Sequence, residues 1–382
     1  MEKAKKLLMV MLSCMLMIGS IPATAAGNNA ILVVGEQLAV QNGQIVPVDA
    51  RDATVYPYLV KDRLMIPARS ISEFFGAEVG WDGSNKEISI SYQGKTTVFQ
   101  IGKTDPALGI DVPAELVDGI TYVPVRAVAE HMLGMQVAYE PTAKVILLTQ
   151  SELDSQQITS LSQQAVASIQ QHYPTEGLTE DGTHMVINGR IYQISGQIRS
   201  IPIIDFNYRL IDERLKRDMQ SLMKTVTFDA NVLNQEGERI TKRYSVDVRK
   251  EIAEDVEEIL KEIYEKGGLI KPGEVGAFRL GSQDFNSLGE MTLPNHPNGL
   301  AIDLSPSSNP YGYYTRDEKF HVMTGGEYDP ENDPYAFTAD GIVVKTFQEH
   351  GWGWGGSWNT WKPYNGTERT LRDFMHFSLN GN

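Results

Sequence analysis

Apolar and polar positions in the first part of the chain follow one pattern twice. An alternating strand pattern ends at Pro67-Ala68-Arg69, and a second one ends at Pro124-Val125-Arg126. Each is followed by a short helix-like segment, a glycine and two more strand patterns. We therefore predict that residues 30–149 contain a strand–helix–hairpin unit used twice.

The middle of the chain has a different residue pattern from the repeated units. Residues 150–185 begin with modest helical periodicity rich in Ser, Gln and Ala and end in a polar loop, which predicts a helical connector. A third unit is expected over residues 186–382. It opens with a hairpin pattern around Asn188-Gly189, and residues 248–266 carry the apolar stripe of an amphipathic helix.

The N-terminus has the features of an export signal. Lys3, Lys5 and Lys6 precede a short apolar run, and Ala23-Thr24-Ala25 is a small-x-small cleavage site. These features predict a signal peptide over residues 1–25. An uncleaved anchor and lipid attachment at Cys14, the only cysteine, are the alternatives. Cleavage would leave no cysteine for disulfides or thiolate chemistry.

Composition narrows the class of protein. The 382 residues suffice for two or three domains, and 41% hydrophobic with 22% charged residues is ordinary for a globular protein. A formal net charge of −15 makes nucleic acid a poor partner. No stable membrane insertion is expected after signal cleavage, and the oligomeric state is left open.

Two histidines and two aspartates near the C-terminus suggest a metal site. His296 and Asp303 are separated by a turn signal at Pro297-Asn298-Gly299, and Asp303 lies within a short apolar strand pattern. A buried carboxylate without a partner is costly, and a bound metal removes that cost. With His376, these residues form the two-imidazole, one-carboxylate set typical of catalytic zinc.

Asp373 precedes His376 by three residues. On a turn or a helical segment, both side chains would point the same way. His376 could then bind the metal, while Asp373 accepts a proton from a water molecule that the metal activates and passes it to the leaving amine.

The combined motif His296-x6-Asp303 and Asp373-x-x-His376-Phe377 resembles the zinc D-Ala-D-Ala carboxypeptidase and L-alanyl-D-glutamate endopeptidase family. The Trp354-Gly-Gly-Ser-Trp358 segment looks like that family's Trp-Gly-Gly-x-Trp. The resemblance implies a small α+β zinc peptidase with a hedgehog-like antiparallel sheet, and it implies that Arg279 binds a substrate carboxylate.

Residues 30–149 resemble the N-terminal stalk domain of copper amine oxidases, and the Pro-x-Arg at each short helix carries the likeness. No copper-ligand cluster accompanies it, because His131 is the only histidine before residue 172. The resemblance implies a spacer or wall-binding module. Arg69 and Arg126 are expected to stabilise the fold.

Two departures from the peptidase pattern leave an alternative open. Pro294 stands where many relatives have serine, and Ser378 where many have glutamate. The segment 305–334 also looks like a longer insertion, which could act as a substrate loop. A wall-binding protein with a degenerate peptidase domain is therefore the alternative. A penicillin-binding serine peptidase is disfavoured, because Lys-Thr-Gly is missing.

The sequence thus predicts a secreted, wall-associated zinc metallopeptidase of a Gram-positive bacterium. Its substrate would be the stem peptides of peptidoglycan, cut by a zinc-activated water. Carboxypeptidase and endopeptidase action remain equally open at this point. His172, His184, His321 and His350 receive no role.

Overall fold

The computed structural model describes residues 29–381 except 109, 118, 207–212, 281–294 and 365–366. The expected signal peptide and Pro294 lie outside the described residues. The chain divides into two compact units, one ending at Ser195 and one beginning at Gly196. Both combine antiparallel sheets with a few helices, as the predicted α+β class requires.

The first unit is rich in short strands. Its helices are α1 (Ala68–Phe74), α2 (Val125–Ala129) and α3 (Ser155–Gln171). Its strands are β1 (Ala30–Val33), β2 (Leu38–Gln41), β3 (Gln44–Pro47), β4 (Tyr58–Val60), β5 (Arg63–Pro67), β6 (Glu78–Asp82), β7 (Glu87–Tyr92), β8 (Lys95–Gln100), β9 (Glu115–Val117), β10 (Ile120–Pro124), β11 (Gln136–Glu140), β12 (Val145–Thr149), β13 (Gly177–Leu178), β14 (His184–Ile187) and β15 (Arg190–Ile198), which runs past Ser195.

The order strand, helix, strand, strand occurs twice in this unit, as β5–α1–β6–β7 and β10–α2–β11–β12. Pro67 and Pro124 end the first strand of each set and directly precede the helix, where their restricted φ angle is tolerated. Gly76 and Gly134 follow the helices with φ of 84° and 63°, a left-handed conformation that stops a helix. Strands β5 and β10 pair with each other, so the two sets meet in one sheet.

Helix α3 differs from the predicted connector because it packs within the first unit. Asp154 and Gln157 form a reciprocal capping box at its start. Leu161, Ala165 and Ile169, spaced four residues apart, bury one face against the sheet of β1, β2 and β12. An apolar stripe of this kind is stabilised by burial, which explains why the segment does not stand apart.

The hairpin β14–β15 forms as the Asn188-Gly189 pattern predicts. Asn188 and Gly189 have φ of 48° and 70°, as a tight two-residue turn requires. The sequence assigned this hairpin to the third unit, whereas the structure places its residues up to Ser195 in the first. The Gln37 side chain explains the difference, because it donates to the Ile191 carbonyl at 2.6 Å and accepts from the Ile191 amide at 2.7 Å.

The second unit holds the predicted metal ligands. Its helices are α4 (Glu213–Ser221), α5 (Ala253–Glu265) and α6 (Ile342–Glu349). Its strands are β16 (Ile201–Ile204), β17 (Met223–Leu233), β18 (Arg239–Arg249), β19 (Val275–Gly276), β20 (Ala301–Leu304), β21 (Tyr311–Thr315), β22 (Phe320–Thr324), β23 (Gly353–Trp354), β24 (Trp361–Tyr364), β25 (Thr367–Asp373) and β26 (His376–Ser378).

Helix α5 and the long hairpin β17–β18 form one side of the core of this unit. Val256, Ile259, Leu260 and Ile263 are buried, in agreement with the predicted apolar stripe. Each fully buried side chain of this size contributes roughly 1.5–3 kcal/mol of transfer free energy. The same core includes Phe377 of β26, so the strand that carries His376 is anchored in it.

Two four-stranded sheets complete the unit. One has the order β19-β20-β26-β23, and the other has the order β22-β21-β25-β24. The chain passes from the second sheet to the first between Asp373, the last residue of β25, and His376, the first residue of β26. Within the described residues, no helix is long and apolar enough to cross a membrane.

Candidate metal centre and active site

Strand register brings Asp303 and His376 together. The two residues lie directly opposite each other on the antiparallel strands β20 and β26. Side chains of opposite residues project from the same face of a sheet. A separation of 73 residues in sequence is therefore closed by one cross-strand pair.

His296 reaches the same place from the turn that precedes β20. Gly299 has φ of 68° and donates its amide to the His296 carbonyl, which closes the turn. The Asn298 side chain fastens the turn to β16, because it donates to the Ile204 carbonyl at 3.1 Å and accepts from the Ile204 amide at 2.8 Å. The predicted bend between His296 and Asp303 is thus present and rigidly held.

Three potential ligand atoms form a nearly equilateral triangle. His296 Nε2, His376 Nδ1 and Asp303 Oδ1 are 3.1 Å apart in each pairing. All three side chains are buried. Tetrahedral zinc with bonds of about 2.0–2.1 Å requires ligand separations of about 3.3–3.4 Å. The triangle is therefore slightly tighter than a zinc site, and small side-chain movements would make it fit.

The imidazole of His296 is oriented by the backbone. Its Nδ1 lies 2.7 Å from the Ala277 carbonyl oxygen, to which it donates a hydrogen bond. This bond leaves Nε2, the atom in the triangle, available to bind a metal. A ligand histidine that donates its other ring nitrogen to a carbonyl is the usual arrangement around protein-bound metals.

Asp303 is ionised in this environment. Burial opposes ionisation, but the imidazoles of His296 and His376 outweigh it and hold the pKa of Asp303 well below its usual range. Its second oxygen, Oδ2, accepts a hydrogen bond from Arg279 Nη1 at 2.7 Å. The donor set of two imidazoles and one ionised carboxylate is suited to zinc.

Asp373 lies beside the triangle, and its pKa is shifted in the opposite direction from that of Asp303. Burial and the neighbouring Asp303 carboxylate raise the pKa of Asp373 to about 7, although the charges of His376 and Arg279 act against the increase. Its buried Oδ1 accepts no hydrogen bond from any described residue. A buried carboxyl with an unused oxygen and a pKa near neutrality is suited to proton transfer.

The Trp354–Trp358 segment packs against the residues around Asp373. Trp354 Nε1 donates to the Phe374 carbonyl at 2.8 Å. The Trp358 ring centroid is 5.7 Å from that of His376. Gly355 lies so close to Asp373 that an added Cβ would be 2.5 Å from its carbonyl oxygen. The glycine of this motif therefore allows the close approach that positions Asp373.

The predicted site residues thus converge in the second unit. Direct contacts join His296, Asp303, His376 and Arg279, and Asp373 interacts electrostatically with them. Arg279 was expected to bind a substrate carboxylate, and the carboxylate it contacts in this structure belongs to Asp303.

Comparison with protein families gives an independent result. Residues 289–379 match the family model described as D-alanyl-D-alanine carboxypeptidase. This stretch of the second unit, which we call the carboxypeptidase segment, is similar to that family. His296, Asp303, Asp373 and His376 all lie within this carboxypeptidase segment, and Arg279 lies ahead of it. Residues 49–148 match the copper amine oxidase N-terminal domain. Both resemblances inferred from the sequence are confirmed.

Neither the curated proteins nor the solved structures gave a match to this chain. The carboxypeptidase segment supports a peptidase acting on the cell wall. The hedgehog-like fold and the exact reaction remain predictions.

Sequence reasoning missed two features of the site. The Ala277 carbonyl is a backbone group, so no residue type indicates its role. Tyr311 lies in the predicted insertion and is directly opposite Asp373 across β21 and β25. Its position could have been found only by knowing the register of those strands.

Proposed function

We propose that this protein is a zinc metallopeptidase that hydrolyses peptide bonds in the stem peptides of peptidoglycan. The observation that carries the proposal is the triangle of ligand atoms 3.1 Å apart, with the buried Asp373 carboxyl beside it. The carboxypeptidase segment supports the choice of substrate class.

His296, Asp303 and His376 would hold the metal. Zinc bound there supplies Lewis acidity, which polarises a carbonyl group and lowers the pKa of water. Ala277 and Arg279 keep the ligand side chains in place by hydrogen bonds to His296 and Asp303. Trp354 and Phe374 are buried, and Trp354 donates a hydrogen bond to the Phe374 carbonyl, next to Asp373.

Asp373 is the proton-transfer group in this mechanism. Its carboxylate takes a proton from the attacking water as the oxygen bonds to the scissile carbonyl carbon. It returns that proton to the amide nitrogen as the carbon–nitrogen bond breaks, which yields a carboxylic acid and an amine. The buried position of Asp373 beside the ligand triangle lets one group perform both transfers.

Digestion of purified peptidoglycan tests the proposal. The full-length mature protein loaded with zinc should release new amino termini or free D-alanine, detected by mass spectrometry of the muropeptides. Treatment with a chelator should stop the release, and added zinc should restore it. No release with zinc bound would contradict the proposal.

The alternative is a wall-binding protein with a degenerate peptidase domain. The departures at Pro294 and Ser378 favour it. The variant D373N distinguishes the two: an enzyme loses turnover and retains zinc, whereas a binding protein keeps its affinity for peptidoglycan unchanged. The same digest separates carboxypeptidase from endopeptidase action by the position of the new terminus.

We also propose export and association with the cell wall. The charged start, apolar run and small-x-small site within residues 1–25 support export. The copper amine oxidase N-terminal domain would then act as a spacer or wall-binding module. Cell fractionation tests this, and retention of the full chain in the cytoplasm would contradict it.

A further inference from the structure

One face of the sheet β22-β21-β25-β24 leads away from Asp373. Strand register pairs Tyr311 with Asp373, Tyr313 with Leu371 and Thr315 with Arg369. Opposite residues share a face, and so do residues two apart on one strand. Asp373, Tyr311, Tyr313 and Arg369 therefore project from the same side, which we call the β21–β25 face.

The β21–β25 face remains partly accessible. Asp373 is buried at one end, whereas Tyr311, Tyr313 and Arg369 are each partly exposed. The Tyr313 ring stacks on His321, with centroids 4.9 Å apart. The Arg369 guanidinium carbon lies 5.4 Å from the Tyr313 ring centroid. Aromatic rings and a cation thus lie beyond the proposed active site.

Two cationic residues occupy opposite positions at the far end of this face. Arg369 is directly opposite Lys362 on the neighbouring strand β24, so both side chains project from the same side. A carboxylate placed between two such side chains can pair with both charges. In a chain with a net charge of −15, this pair is suited to attract an acidic ligand.

Tyr311 lies opposite Asp373, at the same end of the face. Burial and the Asp373 carboxylate raise the pKa of its phenol, and Arg369 acts in the opposite direction. The phenol is therefore protonated at neutral pH and able to donate a hydrogen bond. The charges of both Asp373 and Arg369 act on the Tyr311 phenol.

We propose that the β21–β25 face binds the part of an acidic peptide substrate that extends from the scissile bond. Arg369 and Lys362 together pair with a carboxylate of that peptide. Arg369 lies four residue steps along the strand from Asp373, a span of about 13 Å, so the carboxylate lies three or four peptide residues from the bond that is cut. This inference rests on the proposed function, because it assigns the direction in which the same substrate extends from the scissile bond.

Two synthetic peptides test the inference. Both carry the scissile bond, and they differ only in a side-chain carboxylate or its amide four residues away. Zinc-loaded full-length protein should bind and cleave the acidic peptide about 5- to 10-fold better than the amide. In R369Q the preference for the acidic peptide should disappear, because KM for that peptide increases while kcat is retained. In K362Q the preference should become smaller. A peptide with its carboxylate next to the scissile bond should not be preferred by the unaltered protein.

Arg316 provides the matched control. It is an exposed arginine at the end of β21 that pairs with Glu368 and stacks on Trp361. R316Q should keep the preference for the acidic peptide. A preference unchanged in R369Q, or none in the unaltered protein, overturns the inference. Calorimetric binding of both peptides separates the two proposals: binding that discriminates without cleavage refutes only the peptidase, and cleavage without discrimination refutes only the binding face.

Discussion

The Asp303 carboxylate is shared between Arg279 and the two histidines. Arg279 Nη1 lies 2.7 Å from Oδ2, and Oδ1 lies 3.1 Å from both His296 Nε2 and His376 Nδ1. The guanidinium therefore directs one oxygen away from the triangle and leaves the other as the ligand atom. A charge-assisted hydrogen bond of this kind limits the carboxylate to one orientation.

Replacing Arg279 by glutamine is expected to weaken zinc binding. The R279Q variant loses the charge that orients Asp303, and loss of such outer contacts typically lowers metal affinity by 10- to 100-fold. Competition with a chromophoric chelator measures this. Arg243 is the control, because it pairs with Asp229 at 2.8 Å on the hairpin β17–β18. R243Q should bind zinc as tightly as the unaltered protein does. A zinc affinity of R279Q equal to that of the unaltered protein would refute the orienting role of Arg279.

Replacing Gly355 by alanine is expected to displace Asp373. The new Cβ would lie 2.5 Å from the Asp373 carbonyl oxygen and 2.9 Å from its Cβ, so the backbone must shift. A displacement of about 1 Å at a reacting group can reduce turnover on the order of 100-fold. We expect kcat for peptide cleavage to fall while zinc stoichiometry is retained.

Gly276 serves as the control for that substitution. It lies on β19 opposite Asp303, and an added Cβ would meet no atom within 4 Å. G276A should cleave the peptide at the normal rate. Normal turnover by G355A would mean that the close contact with Asp373 has no functional role.

Asp373 is expected to reduce the stability of the metal-free protein at high pH. Its pKa is raised from 3.8 to about 7, so the folded state holds the proton more tightly than the unfolded state does. The free energy of unfolding therefore falls as pH rises from about 4 to about 7. In D373N this penalty is removed, and the variant should be more stable than the unaltered protein at pH 8 by roughly 1–3 kcal/mol.

Denaturant unfolding in the presence of a chelator measures the difference. At pH 4 the two proteins should have similar free energies of unfolding, because Asp373 is then protonated in the folded state. Parallel stability curves for the two proteins from pH 4 to pH 8 would show that Asp373 titrates normally.

Much of this site is readable in the sequence. Asp303 within an apolar strand pattern indicates a buried carboxylate, and the turn signal before it indicates a bend that brings His296 close. The pairing of β20 with β26 depends on contacts 73 residues apart, which local patterns do not encode. For the same reason, the sequence does not predict that Tyr311 lies opposite Asp373.

The boundary between the two units was also beyond local patterns. Helix periodicity at Leu161, Ala165 and Ile169 predicts an amphipathic helix but does not identify the sheet that it covers. The contact between Gln37 and Ile191 joins positions 154 residues apart and fixes the hairpin to the first unit. Tertiary contacts, and not propensity, decide where one unit ends.

Zinc analysis of the purified full-length protein tests the central claim most directly. Elemental analysis should give one zinc ion per chain. X-ray absorption should show nitrogen and oxygen ligands at about 2.0–2.1 Å and the scattering of two imidazoles. H296A and H376A should each lose most of the metal. A protein that binds no zinc, or that binds it equally well without these histidines, would contradict the account.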